Sequence, residues 1–78
     1  MIRLAIAEDH QSLIDGIQLL LEYEDDITIV GTANDGEALL EIVEKKLPNV
    51  VLTDIRMPKM DGIEATKQIK SKYPKINV

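Results

Sequence analysis

The chain has 78 residues, of which 45% are hydrophobic, and its 14 acidic and 9 basic residues give a net charge of −5. A disordered chain would be poorer in aliphatic residues, so the composition indicates one globular domain. The absence of cysteine excludes a disulfide scaffold and thiolate metal sites, and no apolar run reaches the roughly 18 residues of a membrane span, so we expect a cytoplasmic protein with no membrane contact.

The first part of the chain predicts a strand, a helix and a second strand. Residues 2–7 form a short apolar run that suits a buried strand. Apolar residues then recur at the spacing of one helical face, which predicts a helix over residues 11–23. A polar break follows, and the β-branched residues of 27–33 predict the second strand.

The middle of the chain predicts a second helix and a third strand. The helix is expected over residues 35–46, with Asn34 as its N-cap and Glu37 three positions further on. Residues 50–54 are almost continuously aliphatic before they end in an aspartate. Such a run is typical of a strand covered on both faces, as in a parallel sheet.

The last part predicts a third helix and the beginning of a fourth strand. Asp61 is the expected N-cap of a helix over residues 62–72, with Glu64 at its third position, and residues 76–78 begin another apolar stretch. The alternation of strands and helices predicts an α/β fold, a doubly wound parallel sheet with right-handed crossovers. Sheets of this class commonly have about five strands, so we expect the chain to be part of a longer one.

Charge is divided unevenly along the chain. Residues 1–44 contain 11 acids and 1 base, whereas residues 45–78 contain 3 acids and 8 bases. This division argues against a uniform nucleic-acid-binding surface. The lysines of the third helix have the spacing of an ordinary solvated face.

Acidic residues follow two of the predicted strands. Glu8 and Asp9 come directly after the first strand, and Asp54 ends the third. Ligands of open parallel sheets bind beyond the carboxyl ends of the strands, where the strand order reverses. If strands one and three are neighbours, three carboxylates meet there, and Mg²⁺ is the natural counterion. The alternative is structural: Asp9 caps the first helix, and Asp54 caps or solvates a loop.

The acidic residues and the loop after the third strand together resemble the receiver domain of two-component response regulators. The matching positions are Glu8–Asp9, Asp54, Met57–Pro58 and Asp61–Gly62. Residues 53–62 are the most specific part, and the resemblance extends over essentially the whole chain. His10 and the second strand are similar to the subfamily with a LuxR-type helix-turn-helix output. The resemblance implies a flavodoxin-like, CheY-like fold, with residues 1–78 forming a partial receiver domain.

The resemblance also implies roles for individual residues. Asp54 would accept a phosphoryl group from a histidine kinase, and Mg²⁺ would neutralise the charge on the phosphoryl oxygens. Asp9, Asp54 and the backbone carbonyl of Arg56 would bind Mg²⁺ directly, and Glu8 would hold it through a water molecule. Gly62 would relieve crowding near the site. The Ser or Thr and the Lys of the family's switch have no counterpart within the chain.

The resemblance implies a signalling module that does not turn over a metabolite. Its output would be transcription, through a DNA-binding domain beyond these residues, and the exposed edge of the third strand would favour homodimers or self-association. One alternative is a metal-dependent phosphohydrolase, although such enzymes often carry a second acid where this chain has Arg56. Another is a non-phosphorylated dimerisation module, which the absent switch residues favour and the three acids oppose.

Overall fold

The computed structural model describes all 78 residues as three strands and three helices in alternation. The strands are β1 (Ile2–Ala7), β2 (Ile27–Ala33) and β3 (Val50–Thr53), and the helices are α1 (Gln11–Leu21), α2 (Gly36–Lys46) and α3 (Gly62–Lys72). All strand pairs are parallel, which confirms the predicted fold class. None of the helices combines the length and the apolar character needed to cross a bilayer.

The strand order is β2-β1-β3, so β1 lies in the centre of the sheet. The chain passes from β1 to β2 on one side and later returns to place β3 on the other side. The strand order therefore reverses between β1 and β3, at the kind of position where ligands bind in such sheets. Ala7 of β1 pairs with Thr53 of β3, and the N–H of Asp54 donates to the carbonyl of Ala7 at 3.0 Å. The adjacency that the site prediction required is present.

Alternate residues of β1 face opposite sides of the sheet, as the period of a strand requires. Leu4 and Ile6 pack with Ile14 of α1 on one side. Ala5 and Ala7 pack with the inner residues of α2 and α3 on the other side. Because alanine is small, these two helices can approach the sheet closely, and this holds the segments that flank them against the carboxyl edge.

The beginning of α2 differs from the prediction. Asp35 is the N-cap, and its carboxylate accepts the N–H of Ala38 at 2.8 Å, so the assignment of Asn34 as the cap was wrong. Both residue types cap helices well, and the tertiary structure decides between them. The pairing of β1 with β2 continues to Ala33 and leaves Asn34 beside the first strand, where its Nδ2 donates to the carbonyl of Glu8 at 3.1 Å.

The other ends of elements agree with the prediction to within two residues. Asp61 is the N-cap of α3 and accepts the N–H of Glu64 at 2.8 Å, as predicted. Helix α1 ends at Leu21, two residues earlier than expected. The stretch 76–78 forms only an isolated parallel bridge between Val50 and Asn77, because a single residue pairs there.

Candidate functional site

Glu8 and Asp9 lie immediately after β1 at the carboxyl edge of the sheet. The N–H of Glu8 donates to the carbonyl of Ala33 at 2.9 Å, which extends the pairing of β1 with β2 by one residue. Glu8 is only 7% exposed, whereas Asp9 is exposed. The sheet therefore fixes one carboxylate in a buried position and leaves its neighbour open to solvent.

His10 joins these two acids. Its Nδ1 lies 3.1 Å from Oε2 of Glu8 and 3.1 Å from Oδ1 of Asp9, and the three residues offer one ligand atom each within 4.8 Å of one another. His10 also occupies the N-cap position of α1, but its side chain makes no capping hydrogen bond. Asp9 does not cap α1, so the structural alternative for this residue is not supported.

The electrostatics of the site are strongly negative. The hydrogen bond to Glu8 raises the pKa of His10 above its usual 6.5, and the negative charges of Asp9, Glu8 and Asp54 raise this pKa further. No lysine or arginine forms an ion pair with any of the three acids. The fold thus gathers carboxylates without providing a fixed cation to balance them, which is unfavourable unless a mobile cation or a protonated His10 is present.

Asp54 follows β3 and lies on the same side as Glu8. Both residues line a cavity of about 190 Å³ at the end of β1 and β3. Oδ1 of Asp54 accepts the N–H of Ile55 at 2.8 Å, and Asp54 is outside the group whose ligand atoms all lie within 4.8 Å. The structure therefore brings Glu8 and Asp9 together and sets Asp54 beside them at a wider spacing.

The loop after β3 exposes a further oxygen. Arg56 is exposed, and its backbone carbonyl accepts none of the hydrogen bonds of the structure. The neighbouring carbonyl of Ile55, by contrast, accepts the N–H of Gly62 at 2.7 Å. No hydrogen bond of the protein therefore occupies the Arg56 carbonyl.

Two glycines hold this loop in place. A Cβ atom at Gly62 would overlap the carbonyl oxygen of Asp54, and one at Gly36 would overlap the carbonyl oxygen of Met60. The N–H of Gly36 donates to that Met60 carbonyl at 3.0 Å. The sequence predicted the role of Gly62 in relieving crowding; it gave no role to Gly36, although its place directly after a helix cap could have indicated close packing.

Lys59 is a second feature of the loop that the sequence did not indicate. It has a left-handed backbone, with φ of 68°, and its Nζ lies 3.8 Å from Oδ2 of Asp35. The loop is thus connected to the beginning of α2 by one backbone hydrogen bond and one ion pair.

The donor atoms of the site fit magnesium. The predicted ligands are carboxylate oxygens and a backbone carbonyl, which are hard donors that Mg²⁺ prefers. Mg²⁺ also keeps several of its water molecules, so a residue that holds the ion through water can lie farther away than the residues that bind it directly. The wider spacing of Asp54 is compatible with an ion that Glu8 holds through water.

Comparisons with known proteins give a consistent result. The family model described as the response regulator receiver domain matches residues 4–78. Transcriptional regulatory protein DegU of Brevibacillus brevis is 40% identical over 77 residues, which cover 99% of this chain and 33% of DegU. A protein-glutamate methylesterase/protein-glutamine glutaminase of Methanococcus maripaludis is 40% identical over 73 residues, which cover 94% of this chain and 20% of that protein.

A solved structure extends the similarity to the fold. The isolated REC domain of RcsB from Salmonella enterica serovar Typhimurium, in the presence of the phosphomimetic BeF3−, matches with a TM-score of 0.87 and 34% identity. The match covers 95% of this chain and 56% of that chain. The chain spans about a third of the length of the curated regulators that it matches.

Proposed function

Because the chain belongs to the response regulator receiver domain family, we propose that it accepts a phosphoryl group from a histidine kinase on Asp54. The observation that carries the proposal is the position of Asp54 beside Glu8 and Asp9, at the reversal of strand order. An acidic pair and a separate carboxylate meet there without a fixed cation. This is the arrangement that transfer of a phosphoryl group to a carboxylate requires.

The reaction forms one bond and breaks one bond. The carboxylate of Asp54 attacks the phosphorus of a phosphohistidine, an acyl phosphate forms, and the imidazole of the kinase leaves as the P–N bond breaks. Oδ1 of Asp54 already accepts the N–H of Ile55, so Oδ2 is the oxygen without a protein donor and the natural nucleophile. The backbone hydrogen bond also fixes the orientation of the carboxylate before the attack.

Asp9, Asp54 and the Arg56 carbonyl are the residues that would hold Mg²⁺ directly, and Glu8 would hold it through water. Bound Mg²⁺ neutralises the charge on the phosphoryl oxygens during transfer. Gly62 and Gly36 keep the loop that carries the Arg56 carbonyl against the sheet edge, because larger residues at these positions would displace it. His10 contacts two of the same acids, Glu8 and Asp9, so its ring would have to give way to a bound ion.

The relatives support a proposal for the role of the whole protein. We assign the chain to a cytoplasmic two-component system whose output is transcription, through a DNA-binding part outside these residues. Several curated relatives are transcriptional regulators, which supports this output. The relative from M. maripaludis is of another class, a protein-glutamate methylesterase/protein-glutamine glutaminase. A second copy of the chain is the other expected partner.

Labelling with a small phosphodonor tests the proposal. With acetyl phosphate and Mg²⁺, the chain should gain one phosphoryl group that is labile to hydroxylamine, and mass spectrometry of peptides should locate it on Asp54. The variant Asp54→Asn should gain none, because it lacks the nucleophile. Asp15→Asn, which changes an exposed acid of α1, is the matched control and should be labelled normally. Persistent labelling of Asp54→Asn would disprove the assignment.

A further inference from the structure

A shallow groove between α1 and β2 lies at the edge of the sheet opposite β3. It has a volume of about 530 Å³ and shares no residue with the acidic site. We call it the α1/β2 groove. Its lining includes four aliphatic residues and two acids: Leu19, Leu21, Ile27 and Ile29, with Asp15 and Glu22. Leu19 is 65% exposed, so much of the apolar surface is open to solvent.

The groove runs along an unpaired strand edge. β2 pairs only with β1, and its other edge has no partner. The carbonyl of Asp26 accepts the N–H of Ile2 at 2.7 Å and thus points toward β1. Backbone groups of successive residues in a strand point to alternate sides, so those of Ile27 and Ile29 point to the open edge. These groups can pair with an added extended strand.

The end of α1 next to the groove carries an unbalanced negative charge. Helices α2 and α3 each have two lysines in their last turn, whereas α1 has no basic residue there. The carboxyl end of a helix is itself negative, so acids at this end are unfavourable. Four acids nevertheless follow α1, and none forms a salt bridge. They are Glu22, Glu24, Asp25 and Asp26.

We propose that the α1/β2 groove binds an extended segment of another protein in which Lys or Arg flanks aliphatic residues. The segment adds to the open edge of β2, its aliphatic side chains cover Leu19 and Ile29, and its cations face Asp15 and Glu22. Charge complementarity selects this occupant. A second copy paired through the same edge would bring no cation from its own groove to Asp15 and Glu22, because no lysine or arginine lines the groove.

Titration with a designed peptide tests the proposal on the unmodified 78-residue chain without Mg²⁺. The probe is a short capped peptide with a lysine at each end and threonine alternating with valine between them. The control peptide has glutamate at each end. In ¹H–¹⁵N correlation spectra of the ¹⁵N-labelled chain, the lysine peptide should shift the amide signals of Ile27 and Ile29. The glutamate peptide should leave these signals unchanged.

Charge reversal in the groove sharpens the test. Asp15→Lys combined with Glu22→Lys should weaken binding of the lysine peptide about tenfold, because two ion pairs are replaced by repulsion. Glu41→Lys combined with Glu44→Lys changes the net charge equally on exposed positions of α2, and it should retain most of the affinity. Equal binding of both peptides, equal loss in both double variants, or signal shifts confined to Glu8, Asp9 and Asp54 would overturn the proposal.

Discussion

Glu8 is a buried carboxylate whose Oε2 accepts the backbone N–H of His10 at 3.0 Å and lies 3.1 Å from Nδ1 of the same residue. A buried charge is costly without a partner, so the pair lowers the cost of placing an acid at the end of β1. The side chain of His10 is 75% exposed, so this partner of Glu8 lies at the surface.

The electrostatic environment of His10 can be tested by titration. The pKa of His10 is raised, mainly by the hydrogen bond to Glu8. A raised histidine pKa stabilises the fold fully below the ordinary value of 6.5, and this contribution is lost as the pH rises through the higher pKa of the folded state. We expect NMR titration to give a pKa above 6.5 for His10, which is the only histidine of the chain.

The variant Glu8→Gln removes the carboxylate that contributes most to this shift. The pKa of His10 should then fall toward 6.5. Glu37→Gln, at an exposed acid of α2, is the control and should leave the titration unchanged. An equal pKa of His10 in the chain and in Glu8→Gln would contradict the assigned cause.

Gly62 gives a second prediction. Gly62→Ala should destabilise the fold by about 1–3 kcal/mol, because the added methyl group collides with the backbone of Asp54. Urea denaturation measures the change. Gly16→Ala is the control, since a Cβ there meets nothing within 4 Å and α1 should gain about 0.5–1 kcal/mol from the better helix former. Equal stability changes in the two variants would refute the role of Gly62.

At the scale of elements, the caps of α2 and α3 hold the segments that border the site. Asp61 accepts the N–H of Glu64, but the carboxylate of Glu64 returns no hydrogen bond, so the capping box predicted from the sequence is half formed. Asp35 caps α2 and also pairs with Lys59 of the loop. The cap of α2 therefore also stabilises the loop between Asp54 and α3, whereas the cap of α3 stabilises its own helix.

The half-formed box predicts unequal effects of two substitutions. Asp61→Ala should cost about 1 kcal/mol of unfolding free energy, because the N–H of Glu64 loses its acceptor. Glu64→Ala should cost no more than about 0.5 kcal/mol, since it removes only an acid near the helix N-terminus. Thermal or urea unfolding of both variants measures the difference. A larger effect of Glu64→Ala would mean that its carboxylate closes the box in solution.

At the scale of the whole molecule, a three-stranded sheet has two edges. The outer edge of β3 is covered only by the bridge between Val50 and Asn77. A cavity of about 490 Å³ lies along it, and Leu52 and Ile63 within its lining are 49% and 53% exposed. Apolar side chains beside free backbone groups favour pairing with another chain.

We therefore expect the 78-residue chain to self-associate through the outer edge of β3. Sedimentation velocity should show a mass that increases with protein concentration. Leu52→Lys places a charge on this edge and should shift the equilibrium toward the monomer, whereas Leu20→Lys, on an exposed position of α1, should not. A monomer at every concentration, with cooperative melting, would contradict this prediction.

The sequence contained enough information for the fold class because hydrophobic periodicity is local. The aliphatic runs of β1 and β3 and the spaced apolar residues of α1 each specify an element without reference to the rest of the chain. The N-cap of α2 was not predictable in this way, since Asn34 and Asp35 are equally good N-cap residues. Only the pairing of β1 with β2 distinguishes them.

Some features of the candidate site were likewise predictable from the sequence, and others depended on the tertiary structure. The chain order of the residues places Glu8, Asp9 and Asp54 at strand ends, which predicted an acidic crevice on the condition that β1 and β3 are neighbours. The tertiary structure decided that β1 and β3 are neighbours, that His10 lies between two acids, and that Asp54 stands at a wider spacing. The physical reason is that element type follows from neighbours along the chain, whereas distances between side chains depend on how the sheet assembles.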